Sequence, residues 1–213
     1  MAHTRPPQTP RDPRPPTPRA AQAAGFMLGG EPLALDLADT LVTVTDPPTD
    51  LLADATQVRR FWELQAARLP AGAARPSPAA TRTLRDAIRA VLDAHLEHQR
   101  PPPTALAEIN AAASTATTSP RLTFVGGEFC QAEDWHTTDA ASVAVAAAAR
   151  SAIEVLTSDD ATRLRRCANP MCSMLFVADT PSRQWCTPNI CGNRARVARH
   201  YRRSRTRAES STP

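Results

Sequence analysis

Four cysteines close together near the C-terminus constrain this chain more than any other feature. They follow the pattern C-x4-C-x13-C-x4-C. Two close pairs joined by a loop can bring four thiolates to one metal ion in the tetrahedral geometry that zinc prefers. Four protein ligands leave no coordination position open for catalysis, so the ion would be structural. We therefore predict a structural Zn²⁺ bound by Cys167, Cys172, Cys186 and Cys191.

Unrelated free thiols and a redox pair are the alternatives to a zinc site. The absence of a C-x-x-C pair argues against redox chemistry. Turn chemistry favours zinc: "CANPMC" contains Asn-Pro, and "CTPNIC" offers a threonine N-cap followed by a proline at the first helical position. Cys191 would then lie in the first turn of a helix, where the helix dipole favours a thiolate. A short strand is predicted in "MLFVAD", and Trp185 would shield the site.

The charge of the chain is distributed unevenly. Residues 20–160 carry a net charge of −8, whereas residues 161–207 carry +10. All basic residues are arginines, which a GC-rich genome explains. Seven of them follow Cys191 within "CGNRARVARHYRRSRTR". A local basic patch of this kind attracts polyanions, whatever the mean charge of the protein.

A basic helix over about 188–205 is predicted to leave the zinc site. Arginine binds phosphate in a bidentate manner and reads guanine edges in the major groove, so this helix is a candidate DNA contact. RNA binding by the same helix, a solvated helix, and a helix docked on the acidic body of its own chain are the alternatives. The residues predicted to contact nucleic acid are Arg194, Arg196, Arg199, Arg202 and Arg203.

The remainder of the chain is predicted to be mainly α-helical with one small β-hairpin. Apolar residues recur at helical spacing, most clearly in "AATRTLRDAIRAVLDAHLEHQR". Around Gly126-Gly127 the pattern changes to alternation, which predicts a hairpin over 121–135. The predicted helices cover 32–43, 51–66, 79–100, 104–114 and 138–157.

This pattern divides the chain into four parts. A proline- and arginine-rich leader, 1–22, is predicted to be disordered, as is the tail at 207–213. Between them we expect a helical domain at 24–157 and a zinc-finger module at 160–206. No apolar signal segment opens the chain, and the longest apolar run is too short to span a bilayer, so we expect a cytoplasmic protein that does not enter the membrane.

Three weaker candidate sites have simpler structural interpretations. Asp36 and Asp39 could line a ligand pocket, although capping by Asp36 and exposure of Asp39 is the simpler expectation. The other two candidates are a metal pair at the end of the helix predicted over 79–100 and a nucleophile in the hairpin, for which a solvated helix end and a packed inert thiol are the simpler expectations. Their residues are His95 with His98, and Cys130 with His136.

The C-terminal segment resembles the CGNR zinc-finger family of bacterial proteins. The resemblance rests on both cysteine pairs, the Leu175-Phe176…Asp179 strand, Trp185 and the sequence Cys191-Gly192-Asn193-Arg194. Upstream, "GGEPLALDLADT" resembles the helical domain that accompanies this finger in stress-induced transcription regulators. That domain usually reads Leu-Asp-Phe-x-Asn-Thr, so this chain has Leu37 for phenylalanine and Asp39 for asparagine.

The resemblance implies a DNA-binding transcription regulator with a structural zinc. We expect the helical domain to sense an effector or to form a homodimer. The alternative is a ligand-binding protein or enzyme, with its pocket in the helical domain near Asp36, Asp39 and Trp62 and with the finger as a scaffold.

Overall fold

The computed structural model describes residues 15–28, 30–70, 73–187, 191–194 and 196–197. The protein is mainly α-helical, as predicted, and contains three two-stranded antiparallel sheets in this part of the chain. The helices are α1 (Pro18–Ala23), α2 (Leu33–Ala38), α3 (Ala55–Gln65), α4 (Pro78–Leu96), α5 (Pro103–Ser114), α6 (Ala140–Thr157) and α7 (Asp160–Arg163). The strands are β1 (Leu41–Val42), β2 (Thr49–Asp50), β3 (Thr117–Val125), β4 (Glu128–His136), β5 (Leu164–Arg166) and β6 (Leu175–Val177).

The long helices begin where local chemistry favours a helix start. At α4, the Ser77 hydroxyl accepts a hydrogen bond from the Ala80 amide, and Pro78 occupies the first turn. At α3, Asp54 and Gln57 form a reciprocal capping box. These caps satisfy amide groups that have no partner within the helix, which fixes the start of each element.

Helix α6 lies in the centre of the helical core. It packs against α2, α4 and α5, and its buried face consists mostly of alanine, which allows the helices to approach closely. Larger apolar side chains from α3 and α4, among them Phe61, Trp62 and Leu92, complete this core. By length and composition α6 is the one described helix that could cross a membrane, but its position here is that of a core helix.

Two segments differ from their predicted structure. The helix predicted over 32–43 ends at Ala38, where the Thr40 hydroxyl donates to the Leu37 carbonyl and the chain turns into β1. Helix α1 falls inside the leader predicted to be disordered up to residue 22. It forms because Thr17 caps its first turn and Ala21 is fully buried against the helical core. Residues 1–14 lie outside the described part of the chain.

The hairpin predicted around the two glycines is present and longer than expected. Strands β3 and β4 pair from Thr117↔His136 to Val125↔Glu128, and Gly126 and Gly127 both have positive φ values in the turn. The second ribbon, β5–β6, pairs Leu164↔Val177 to Arg166↔Leu175. Strand β6 falls within the predicted "MLFVAD" segment, whereas α7 and β5 were not predicted.

Candidate zinc site and its attachment to the helical core

The four cysteines come together at the end of the β5–β6 ribbon. Cys167 follows β5, Cys172 lies in the loop before β6, and Cys186 and Cys191 come from the segment after it. All four are buried, and their sulfur atoms lie within 4.8 Å of one another. Two chain segments therefore supply one compact group of four thiols, as the spacing predicts.

Asn169 connects the two cysteine pairs. Its carbonyl accepts from the Cys172 amide at 2.9 Å, and its side-chain oxygen accepts from the Met171 amide at 3.1 Å. Its side-chain nitrogen donates to the sulfur of Cys191 at 3.4 Å. The Asn-Pro turn thus shapes the first pair and also orients a ligand of the second.

The distances and the ionisation chemistry fit a zinc ion. Four sulfurs at about 2.3 Å from tetrahedral zinc lie about 3.8 Å apart, and the sulfurs of Cys172 and Cys186 are separated by 3.8 Å. Hydrogen bonding to Cys167 and burial raise the pKa values of Cys172 and Cys186 above that of a free thiol. Hydrogen bonds with Cys172 and Cys186 instead lower the pKa of Cys167, and a bound zinc ion would favour the thiolate form of its ligands.

Side chains of the small finger core cover the sulfur cluster. Met174, Phe176 and Ala178 are buried against the cysteines, and Trp185 packs on them from outside, as predicted. The Arg183 guanidinium lies over the Phe176 ring, 4.5 Å from its centroid. This apolar cover excludes water from the sulfurs. Within the described residues, these four cysteines are the only group of potential ligands close enough together to bind a metal ion.

Two buried carboxylates attach the finger to the helical core. Both oxygens of Asp39 accept from the Leu175 amide, at 3.0 and 3.1 Å. Glu31 accepts from the Val177 amide at 3.0 Å. Both N–H groups point away from β5, along the outer edge of β6, so the carboxylates take the place of a third strand. We call Glu31 and Asp39 the carboxylate brace.

Arg183 extends the brace to the cysteine loop. It pairs with Glu31 at 2.7 Å and donates to the carbonyls of Val177, Trp185 and Cys186. One guanidinium thus connects the helical core, β6 and the backbone of a cysteine in the cluster. Such outer contacts hold the ligands of a metal in position.

Family models match both parts of the chain. Residues 31–159 match ABATE, described as "Putative stress-induced transcription regulator", and residues 163–204 match the CGNR zinc finger. The chain belongs to the ABATE family. No curated protein sequence matches it. The family model includes the brace residues of this ABATE protein, and the finger model includes all four cysteines, which fit a structural Zn²⁺ ion.

The predicted nucleic-acid contacts lie only partly in the described chain. Residues 191–194 and 196–197 are helical, and the side chains of Arg194 and Arg196 are exposed. Arg199, Arg202, Arg203 and the predicted helix start at 188–190 lie outside the described residues. Arg194 also lines a groove of about 80 Å³ that Phe26 and Met174 border from the two sides.

Two other arginines of the finger form salt bridges with the helical core. Arg166 pairs with Asp93 at 3.1 Å and with Glu97 at 3.4 Å, while Arg183 pairs with Glu31. Both arginines precede the basic helix predicted over about 188–205, so the alternative in which that helix docks on the acidic body stays open, and most of the helix lies outside the described residues. The exposed position of Arg194 leaves its guanidinium accessible to a partner outside the chain.

Asp36 and Asp39 are buried and line neither the cavity beside Trp62 nor the groove at Arg194. Asp36 is buried with Arg68, whose guanidinium donates to it at 2.9 Å, and Gln65 donates at 3.2 Å. Burial raises the pKa of Asp36 to about 7, although Arg68 and Gln65 act to lower it. The expectation that Asp39 is exposed is wrong, because its carboxylate is needed at the edge of β6; burial raises its pKa well above the usual value.

The cavity beside Trp62 contains neither aspartate. It has a volume of about 500 Å³ and is lined by Trp62, Glu63, Leu69 and Arg75, among others. The Trp62 indole N–H is already bonded to the Thr81 hydroxyl at 3.0 Å. The convergent polar groups expected of a pocket near Asp36, Asp39 and Trp62 are therefore not found there.

The histidine and hairpin candidates have structural roles in this part of the chain. His95 bonds the Ala161 carbonyl through Nε2 at 2.9 Å, which ties the end of α4 to α7. His98 adopts a positive φ of 54° just beyond the end of α4. His136 bonds Ser119 at 2.7 Å, and the Cys130 sulfur lies 3.9 Å from the Glu128 carbonyl, so the two do not form a nucleophile and base.

The brace could have been suspected from sequence, although its partners could not. In "LALDLAD" apolar residues surround the aspartates on all sides of a short helix, which indicates full burial. A fully buried carboxylate requires internal hydrogen-bond donors. The donors lie 136 residues away for Asp39 and 146 for Glu31, and no local pattern identifies them.

Proposed function

We propose that this ABATE protein binds DNA through its zinc finger and acts as a cytoplasmic transcription regulator. The observation that carries the proposal is that the arginines of the finger face in different directions. Arg166 and Arg183 face the helical core, whereas Arg194 is exposed on the helical segment that follows Cys191. A zinc-rooted basic segment that projects from an acidic body is suited to contact phosphates.

The helical core positions the finger in this proposal. The carboxylate brace and Arg183 hold β6 against α2, so the finger is not a module on a loose linker. The four zinc-bound thiolates fix Cys191 at the base of the basic segment. A rigid mounting reduces the entropy lost on binding and sets the direction in which the arginines project.

A titration of duplex DNA against salt tests the proposal. Arg199→Ala with Arg203→Ala should weaken binding and reduce the slope of log affinity against log salt by about 2. Arg59→Ala with Arg60→Ala is the matched control, because it removes the same charge from exposed positions on α3. The control should bind as the unmodified protein does, and equal retention of DNA by the two double variants would contradict the proposal.

Structured RNA distinguishes the nearest alternative. The same arginines would also contact an RNA backbone, so the competing strength of structured RNA against duplex DNA decides between the two polyanions. Duplex DNA should compete at lower concentration. A preference for structured RNA would mean that the finger binds RNA and not DNA.

A further inference from the structure

The β3–β4 ribbon carries an apolar face that the described part of the chain leaves uncovered. Cross-strand partners lie on one face of a ribbon, as do residues two apart. Phe124 pairs with Phe129, their rings 4.9 Å apart, and Leu122 lies next to them on the same face. These three side chains are 63%, 74% and 74% exposed, in the order Phe124, Phe129, Leu122. We call them the apolar tip.

On the opposite face of the ribbon, polar side chains find partners within the ribbon itself. Arg121 pairs with Asp134 at 3.0 Å, and the Thr123 hydroxyl donates to the Cys130 carbonyl at 2.9 Å. Several side chains of this face are half-buried, although they are more polar than those of the apolar tip. The more hydrophobic face is thus the more exposed one, which is the reverse of what a solvated hairpin requires.

A two-stranded ribbon with an exposed apolar face has little stability when it stands alone in water. Such hairpins are marginally stable in water unless they pack on another element. Within the described residues, β3 and β4 form a sheet of their own, with no third strand. An uncovered apolar face of this kind is typical of an interaction surface.

We propose that the apolar tip packs against the apolar tip of a second copy of this chain. A two-fold contact needs one self-complementary surface, and this one has no charged residue that would meet its own copy at the centre. The nearest charge on the face is Glu133, two positions beyond Gln131 and towards the base of the ribbon.

The exposed area is consistent with a weak, reversible dimer. The exposed parts of the three side chains amount to roughly 400 Å² per copy. Two copies would therefore bury roughly 800 Å², and Pro120, Gln131 and the ribbon backbone raise this towards the ~1,200 Å² at the lower end of stable interfaces. We expect association in the micromolar range.

The charges around the tip favour a protein over a membrane or a polyanion. Glu128 lies at the turn, and the nearest arginine, Arg121, is already paired with Asp134. Membrane-inserting tips combine apolar residues with basic ones that meet anionic headgroups. The surface lies outside the finger, so the inference goes beyond the proposed DNA binding and is tested without DNA.

Sedimentation velocity of the zinc-loaded full chain over a wide concentration range tests the dimer. Phe124→Ser with Phe129→Ser should remain monomeric at concentrations where the unmodified protein dimerises, a loss of affinity of at least about tenfold from the lost apolar area. Val125→Ser is the matched control, because Val125 is 67% exposed on the opposite face of the same turn. It should dimerise normally.

Cysteine cross-linking identifies the face and remains informative if a serine variant misfolds. In a Cys130→Ser background, Gln131→Cys places a thiol on the apolar face and Ala132→Cys places one on the opposite face. Gln131→Cys should form a cross-linked dimer and Ala132→Cys should not. Preferential cross-linking of Ala132→Cys, a protein that stays monomeric at all concentrations, or vesicle binding that needs both phenylalanines would each overturn the proposal.

Discussion

Two of the three antiparallel ribbons in the described part of the chain, β5–β6 and β3–β4, differ in what supports them. The first has only three residue pairs, yet Leu175 and Phe176 are fully buried and the edge of β6 is bonded to the carboxylate brace. The second has nine pairs, but its apolar tip is exposed. The longer ribbon has more internal hydrogen bonds, while the shorter one has more support from outside.

This difference indicates how each ribbon contributes to function. The short ribbon needs a metal ion and the brace because three residue pairs cannot form a core of their own. We therefore expect it to hold Cys191, where the basic segment begins, in a fixed position. The apolar tip of the long ribbon is left exposed by the described part of the chain, and in the proposed dimer a second copy would cover it.

Removal of zinc should have the largest effect and should separate the two ribbons. Structural zinc contributes on the order of 10 kcal/mol to the folding of small modules, so chelation should expose the amides of β5–β6 to hydrogen exchange. Exchange in β3–β4 and at the centre of α4 should change little, because neither contacts the sulfur cluster. Hydrogen–deuterium exchange by mass spectrometry, before and after chelation, reports both ribbons in one sample.

Readdition of zinc is the control for that experiment, and it should restore protection in β5–β6. Equal loss of protection in the two ribbons would mean that the metal supports the whole chain. Unchanged protection in β5–β6 would mean that the brace alone is sufficient.

Loss of the brace should have the next largest effect. Asp39→Ala leaves the Leu175 amide without a partner and removes a carboxylate 3.6 Å from the buried Arg89 guanidinium. The free energy of unfolding should fall by about 3 kcal/mol, since buried groups lose their partners. Asp39→Asn keeps one acceptor oxygen and should lose less. Urea unfolding of the zinc-loaded protein measures both changes.

Asp134→Ala is the matched control on the other ribbon. It also removes a carboxylate, but the side chains of Asp134 and its partner Arg121 are 44% and 56% exposed, so the loss should stay below about 1 kcal/mol. If the two substitutions had equal effects, the burial of Asp39 would not distinguish the ribbons.

Local chemistry made much of this architecture predictable. The spacing of the cysteines identified the zinc site, and Ser77-Pro78 with the apolar stripe of α4 identified the clearest helix. Gly126-Gly127 identified the turn of the hairpin. Each of these signals lies within one element or one turn, where a residue and its partner are close in sequence.

The attachment of the finger could not be predicted in the same way. Asp39, Glu31 and Arg183 act on groups of another element, and their role depends on how α2 meets β6 in three dimensions. The sequence indicated that Asp39 was unusual for its family position, but exposure seemed the simpler expectation. A buried carboxylate needs hydrogen-bond donors, and for Asp39 the edge of β6 supplies one.

The smallest effect is expected at the apolar tip of a dilute sample. Phe124→Ala with Phe129→Ala should change the free energy of unfolding of the monomer by no more than about 0.5 kcal/mol, because both side chains are mostly exposed. At high concentration the unmodified protein should melt at a higher temperature, because dimerisation stabilises the folded state. The melting temperature of the variant should not depend on concentration. Calorimetry at two concentrations measures both. A large loss of stability in the dilute variant would show that the tip supports its own chain, and the long ribbon would then not lack support from outside.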